Sequence, residues 1–196
     1  MIDHFLFDLD GTITTEELLP IIARACGVEE EIKKLTDMTI SGDIPFEYSL
    51  RHRVDILKSV PVSLVQDIVL TVGIDPYIRD FLAENRAKCT IVTGNLDVWL
   101  AKLSTVLPIP MMSSCASVEN DRIIDLYRIM DKSFAPAAFE GNVCAVGDGN
   151  NDFGMLSSAR VGVAYGGVHA PAASLLEIAD FATYDGKTLC RLLSQL

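Results

Sequence analysis

An apolar run of β-type residues, His4-Phe5-Leu6-Phe7, opens this chain and breaks abruptly into two aspartates, Asp8 and Asp10, followed by Gly11-Thr12. In an open α/β sheet the carboxyl end of a strand is where ligands bind, so both carboxylates arrive where chemistry is done. Strand alternation directs Asp8 and Asp10 to the same side, and Gly11 marks the point where the chain turns away. Two neighbouring acids repel, and each is costly to desolvate unless a cation or hydrogen bonds compensate. Alone, an Asp-x-Asp triplet reads more readily as a loop start with solvated acids. Residues further along the chain decide its meaning.

A helical stretch comes next, Glu16 to Ala25, with Leu18, Leu19, Ile22 and Ala25 on one face and Gly27 as the stop. Residues 28–72 then carry only helical patterning: Glu29 to Ile40, Pro45 to Lys58 and Pro61 to Val72, with Pro45 and Pro61 at helix starts. So long a connection after a first strand implies a separate unit. We therefore expect residues 14–73 to form a helical cap, with residues 1–13 and 74–196 forming the core. Strand-helix alternation resumes at Asp75. Pro76 to Arg86, Leu96 to Leu107 and Lys132 to Phe139 read as helices, Cys89 to Thr93 and Val143 to Val146 as strands. Met111 to Ala116 and Arg122 to Ile129 pair across the turn-prone trio Glu119-Asn120-Asp121. Met155 to Ala159, Val161 to Ala164, Ala172 to Ala179, Phe181 to Thr183 and Thr188 to Leu193 complete the alternation. This order predicts an α/β fold, a doubly wound, Rossmann-like parallel sheet covered on both faces, with the helical cap inserted after its first strand.

The expected strands 5–8, 89–93 and 143–146 each end in polar residues: Asp8, Thr93-Gly94 and Asp148. In a parallel sheet those ends share one edge, so the three can converge. Gly147-Asp148-Gly149-Asn150-Asn151-Asp152 fails as a calcium hand, because Phe153 stands where Gly is needed and Ala159 where Glu is needed. It fails as a dinucleotide loop because Asp152 takes the place of a third glycine. Beside Asp8 and Asp10 it reads as an oxygen-only site suited to magnesium, with Asp148 as a direct ligand and Asp152 and Asn151 in support. Thr93-Gly94 would end a strand and open a helix, a place where a hydroxyl and free N–H groups bind anions. Gly186-Lys187-Thr188 is no phosphate loop, since Phe181 stands where its first glycine belongs. His4, His52 and His169 have no partners at metal spacing and read as surface or capping histidines.

The net charge of -11 argues against a nucleic-acid partner and requires any bound anion to meet cations or N–H groups concentrated locally. Five scattered cysteines, at positions 26, 89, 115, 144 and 190, form no zinc or redox pattern and suit a reducing cytoplasm. No apolar run approaches the length of a membrane span.

Asp8-Leu9-Asp10-Gly11-Thr12, Val92-Thr93-Gly94-Asn95, Lys132-Ser133 and Gly147-Asp148-Gly149-Asn150-Asn151-Asp152 occur in an order that resembles the haloacid-dehalogenase-like superfamily of aspartate-nucleophile phosphatases. Glu16 and the stretch Gly42 to Val54 make the resemblance closest to the phosphoserine phosphatase group. The resemblance implies a magnesium-dependent phosphomonoester hydrolase that works through an aspartyl-phosphate. Asp8 would be the nucleophile and Asp10 the acid and base. Asp8, the Asp10 carbonyl and Asp148 would hold the metal, supported by Asp152, while Thr93, Gly94 and Lys132 hold the phosphoryl oxygens. Glu16 and Arg53 match positions that meet the substrate ammonium and carboxylate, and Phe46 and Met38 would supply apolar walls. The substrate would be phosphoserine or a similar small phosphorylated metabolite, and the enzyme a monomer or homodimer.

Three departures bear on substrate choice: Gly11 replaces a typical Ser, Asn95 a second glycine, and the segment from Lys132 to Asp148 is short. A phospho-accepting receiver domain also gathers acids, Thr and Lys on a parallel sheet. It has no helical insertion and no general acid two residues past the nucleophile. A phosphotransferase of the same superfamily, passing the group to an alcohol, is the remaining alternative.

Overall fold

β1 (His4–Phe7) lies inside a seven-stranded sheet of order β4-β3-β2-β1-β5-β6-β7. The other strands are β2 (Cys89–Leu96), β3 (Met111–Glu119), β4 (Arg122–Arg128), β5 (Val143–Gly147), β6 (Val161–Tyr165) and β7 (Phe181–Thr183). All pairs are parallel except β3 with β4. The computed structural model describes residues 1–40 and 43–196, so Gly42 of the stretch that carries the phosphoserine phosphatase resemblance lies outside the described residues. Successive β1 side chains enter opposite layers: Phe5 and Phe7 pack in one apolar cluster, Leu6 in the other with Val92, Ala145 and Ala164. This burial on two sides explains why the strand is a continuous apolar run with no polar alternation. Truncating Phe7, which is fully buried, would cost ~3–5 kcal/mol.

Helices α1 (Leu18–Cys26), α2 (Glu29–Ile40), α3 (Phe46–Leu57) and α4 (Val62–Val69) fall between β1 and β2. Gly27 ends α1 at φ 73°, a left-handed conformation that costs glycine nothing. The chain leaves and re-enters this helical region beside itself, through a bridge between Thr14 and Ile74. The β3–β4 hairpin turns through Asn120 and Asp121, both with positive φ, as a tight hairpin requires. The Asp121 carboxylate accepts from Ser63 N at 2.9 Å and Ser63 Oγ at 2.6 Å, tying the start of α4 to the hairpin.

The remaining helices are α5 (Pro76–Glu84), α6 (Asp97–Leu100), α7 (Leu103–Val106), α8 (Phe153–Ser158), α9 (Ala173–Ile178) and α10 (Gly186–Leu193). Asp75 caps α5 by accepting from Tyr77 N and Ile78 N.

Two expectations need correction. The helix expected over 96–107 is two short pieces, and β2 continues to Leu96. β3 accounts for the extension: Leu96 pairs with Ser114, whose hydroxyl donates to Gly94 O at 2.7 Å, while Asp97 Oδ1 accepts from Val98 N and Ala116 N where α6 begins. The segment 132–139 is two 3₁₀ turns, Lys132–Phe134 and Pro136–Ala138, because Pro136 has no N–H to continue an α-helical ladder. Among the described residues, no helix is long and apolar enough to cross a membrane.

Candidate active site

β1 sits where the connections reverse direction, with β2 on one side and β5 on the other, and the crevice at that point opens at the strands' carboxyl ends. Asp8 leaves β1 with its N–H bonded to Val146 O at 2.9 Å, and Asp148 follows β5, so the two acids come from adjacent strands. Both are buried. Lys132 Nζ, on the first 3₁₀ turn, reaches Asp8 Oδ1 and, at 2.6 Å, Asp152 Oδ1. The second oxygen of Asp152 accepts from the N–H groups of Asp148 (3.2 Å) and Gly149 (3.1 Å), which fixes the loop. A Cβ on Gly147 would stand 2.5 Å from Asp152 Cγ, so a glycine is needed for that carboxylate to fold against the loop.

Lys132 faces more negative charge than it can balance. Burial, then Asp152, raises the Asp8 pKa well above the carboxylate range; Lys132 opposes the rise. Burial likewise raises Asp152 against the pull of Lys132. Burial alone would lower the Lys132 pKa, but Asp152 and Asp8 outweigh it and raise it above lysine's ordinary value. Asp8, Asp148 and Asp152 each offer a carboxylate oxygen within 4.8 Å of the others. An under-neutralised, oxygen-only cluster fits a hard divalent cation.

Asp10 lies at the edge of this cluster. Its Oδ1 accepts from Leu18 N at 2.8 Å, the first N–H of α1, and its Oδ2 from Asn95 Nδ2. Burial, then the Glu17 carboxylate, pushes its pKa up to about 8, which keeps a proton on it near neutrality. A carboxyl group held protonated beside a partner acid can donate to a leaving group.

Above these groups lies a cavity of about 470 Å³, lined by Asp8, Asp10, Glu17, Phe46, Arg53 and Gly94 among others. Asn151 also lines it. Phe46 packs so closely on Gly94 that a Cβ there would be 2.6 Å from the ring. Arg53 is buried, with Nη2 on Thr39 Oγ1 at 3.2 Å and Nε without a hydrogen-bond partner. Burial lowers its pKa, while Glu17 and Asp10 act in the opposite sense.

Several expected residues lie elsewhere. Glu16 is exposed and does not line the cavity; Glu17 does, because α1 starts at Leu18, later than the pattern suggested. Thr93 is fully buried, and its hydroxyl accepts from Asn95 N at 3.1 Å within β2. It does not open a helix, and Gly94 alone of the pair meets the cavity. Met38 does not line the cavity, where Leu19, Pro20 and Leu50 join Phe46. His169, read as a surface residue, extends Nε2 to 2.8 Å from Asp148 Oδ2 and 3.3 Å from Glu17 Oε1. Sequence spacing held no signal for it. Asn95 had one, as a polar residue where the related group has glycine.

Residues 5–157 match the family model of haloacid dehalogenase-like hydrolases. A phosphoserine phosphatase of Archaeoglobus fulgidus is 32% identical over 177 residues, covering 82% of this chain and 51% of that protein, so the chain spans about half that relative's length. One from Methanocaldococcus jannaschii is 32% identical over 178 residues, covering 82% of this chain and 83% of the relative. The solved structure of a phospho-aspartyl intermediate analogue of phosphoserine phosphatase superposes with a TM-score of 0.81 at 25% identity, covering 97% of this chain and 98% of the other.

Proposed function

The chain belongs to the haloacid dehalogenase-like hydrolase family and is phosphoserine phosphatase-like within it, and from that premise we propose that it is a magnesium-dependent phosphomonoester hydrolase acting through an aspartyl-phosphate. One observation carries the reading: the Asp8 carboxylate, bonded by the buried Lys132 ammonium, and the Asp10 carboxyl group line one cavity at the carboxyl end of β1.

The Asp8 carboxylate attacks phosphorus, an acyl-phosphate bond forms, and the bond to the alkoxide breaks. Asp10 gives its proton to that alkoxide, then takes one from the water that cleaves the intermediate. Lys132 holds Asp8 in line and balances charge on the phosphoryl oxygens, with the Gly94 backbone at the cavity wall. A magnesium ion held by Asp8, the Asp10 carbonyl and Asp148, with Asp152 and Asn151 in support, would supply the remaining charge neutralisation.

Residues 14–73 act as the cap that selects the substrate and excludes water. The unpartnered Nε of Arg53 supports a carboxylate on the substrate, as in the phosphoserine phosphatases this chain is similar to. We place the enzyme in a reducing cytoplasm, a reading supported by its five free thiols. The test is phosphate release from a panel of small phosphomonoesters with magnesium and with a chelator. Steady, chelator-sensitive release is expected. No release from any ester, or release unaffected by chelation, would overturn the proposal.

A further inference from the structure

We infer that His169 sets substrate choice by occupying, from within the chain, the place where a substrate ammonium would meet Glu17, so that the preferred ester carries a carboxylate but no ammonium. This rests on the proposed phosphatase function and narrows its substrate class.

Glu17 lines the cavity alongside Arg53 and, unlike Asp8, Asp10 and Asp148, has no role in the proposed chemistry or metal site, so a cationic group on a substrate would be expected to seek it. Its Oε1 already faces His169 Nε2 at 3.3 Å, and the same nitrogen lies 2.8 Å from Asp148 Oδ2. The other ring nitrogen, Nδ1, faces the carbonyl oxygen of Ala170 at 3.0 Å. Carboxylate oxygens only accept, so Nε2 is the nitrogen that donates toward Glu17 and Asp148. The Nε2–H group thus lies between two carboxylates, and a second donor aimed at Glu17 Oε1 has to compete with it. His169 also lines the cavity itself.

Gly11 gives a separate reason to read this arrangement as built. Its φ is +70°, and a Cβ there would lie 2.6 Å from Asp148 Oδ2 and 3.0 Å from Glu17 Oε1. Those are the two oxygens that hold His169. The glycine that departs from the related group's Ser is therefore what lets both carboxylates close on the imidazole. Arg53 has no such competitor: its Nε remains free for a substrate carboxylate.

The experiment compares kcat/KM for O-phosphoserine and for 3-phosphooxypropanoate, which differs only in lacking the ammonium. The wild type should show a phosphoserine-to-propanoate ratio at or below about one. His169→Ala should raise that ratio roughly 10-fold or more, the scale of one charge-assisted hydrogen bond, by freeing Glu17. His169→Gln, which keeps an N–H donor near the Nε2 position, should hold the ratio low. Loss of activity on both esters alike would mark a merely structural role and overturn the inference. A wild-type ratio above about ten would also overturn it while leaving the phosphatase reading intact. Cleavage of an aryl phosphate with neither carboxylate ester turned over would overturn the inference together with the role of Arg53. Failure on every ester would overturn the proposed function itself.

Discussion

Lys132 Nζ and Asp152 Oδ1, twenty residues apart in the chain, meet at 2.6 Å where neither side chain is exposed by more than 2%. The same ammonium touches Asp8, the proposed nucleophile, so one lysine ties the end of β1 to the loop after β5. Lys132→Ala leaves buried carboxylates without their cation. It should destabilise the metal-free protein by ~3–5 kcal/mol in denaturant unfolding. It should also lower kcat by roughly 10²–10³. Lys102→Ala removes an exposed pair with Asp67 and should cost at most about 1 kcal/mol, with turnover nearly unchanged.

The raised pKa of Asp10 makes metal-free stability depend on pH. The folded chain holds this proton up to about pH 8, whereas the unfolded chain releases it near the ordinary aspartate value of 3.8. Between those values the native state binds more protons, so this group's contribution is fully present below the lower value and is lost as pH rises through the upper one. In the metal-free protein, Asp10→Asn should therefore gain in Tm relative to the wild type as pH goes from 4 to 8. A Tm difference that stays flat over that range would refute the assignment.

Arg53→Ala removes the group proposed to face a substrate carboxylate. Activity on a carboxylate-bearing phosphomonoester should fall roughly 10–150-fold, while a small aryl phosphate should be little affected. Glu16→Gln should leave both unchanged, since Glu16 lies outside the cavity. Equal losses on both substrates in the Arg53 variant would point to a damaged cap.

Much of this architecture was legible in the chain because the signals were local. The β1 run, its two aspartates, the Asn120-Asp121 turn and the Gly27 stop each express a backbone preference within a few residues. Asp8 and Asp148 could be brought together because parallel strands present their carboxyl ends on one edge, whereas Lys132 was placed with them only by the family resemblance. Sequence and structure part where tertiary contacts decide. β2 runs past Thr93 because β3 pairs with it there, and the helix that would have made Thr93-Gly94 an anion site starts only at Asp97. Asp10 accepts the first N–H of α1, which makes Glu17 and not Glu16 the acid at the cavity. His169 joins the site from the loop between β6 and α9, a convergence that no spacing rule encodes.

Magnesium should restore activity after chelation, and calcium should inhibit, because its looser and larger coordination shell would misplace the carboxylate proposed to attack. Asp148→Asn should weaken activation by magnesium, read as a higher metal concentration for half-maximal rate. Full activity in a chelator would remove the metal from the account.

The central claim is that Asp8 carries the phosphoryl group during turnover. Acid-quenching the enzyme during steady-state hydrolysis and mapping its peptides by mass should find one phosphoryl group on the peptide containing Asp8, absent from Asp8→Asn, which should be folded and inactive. Hydrolysis with no modification at Asp8, or near-normal turnover by Asp8→Asn, would contradict it.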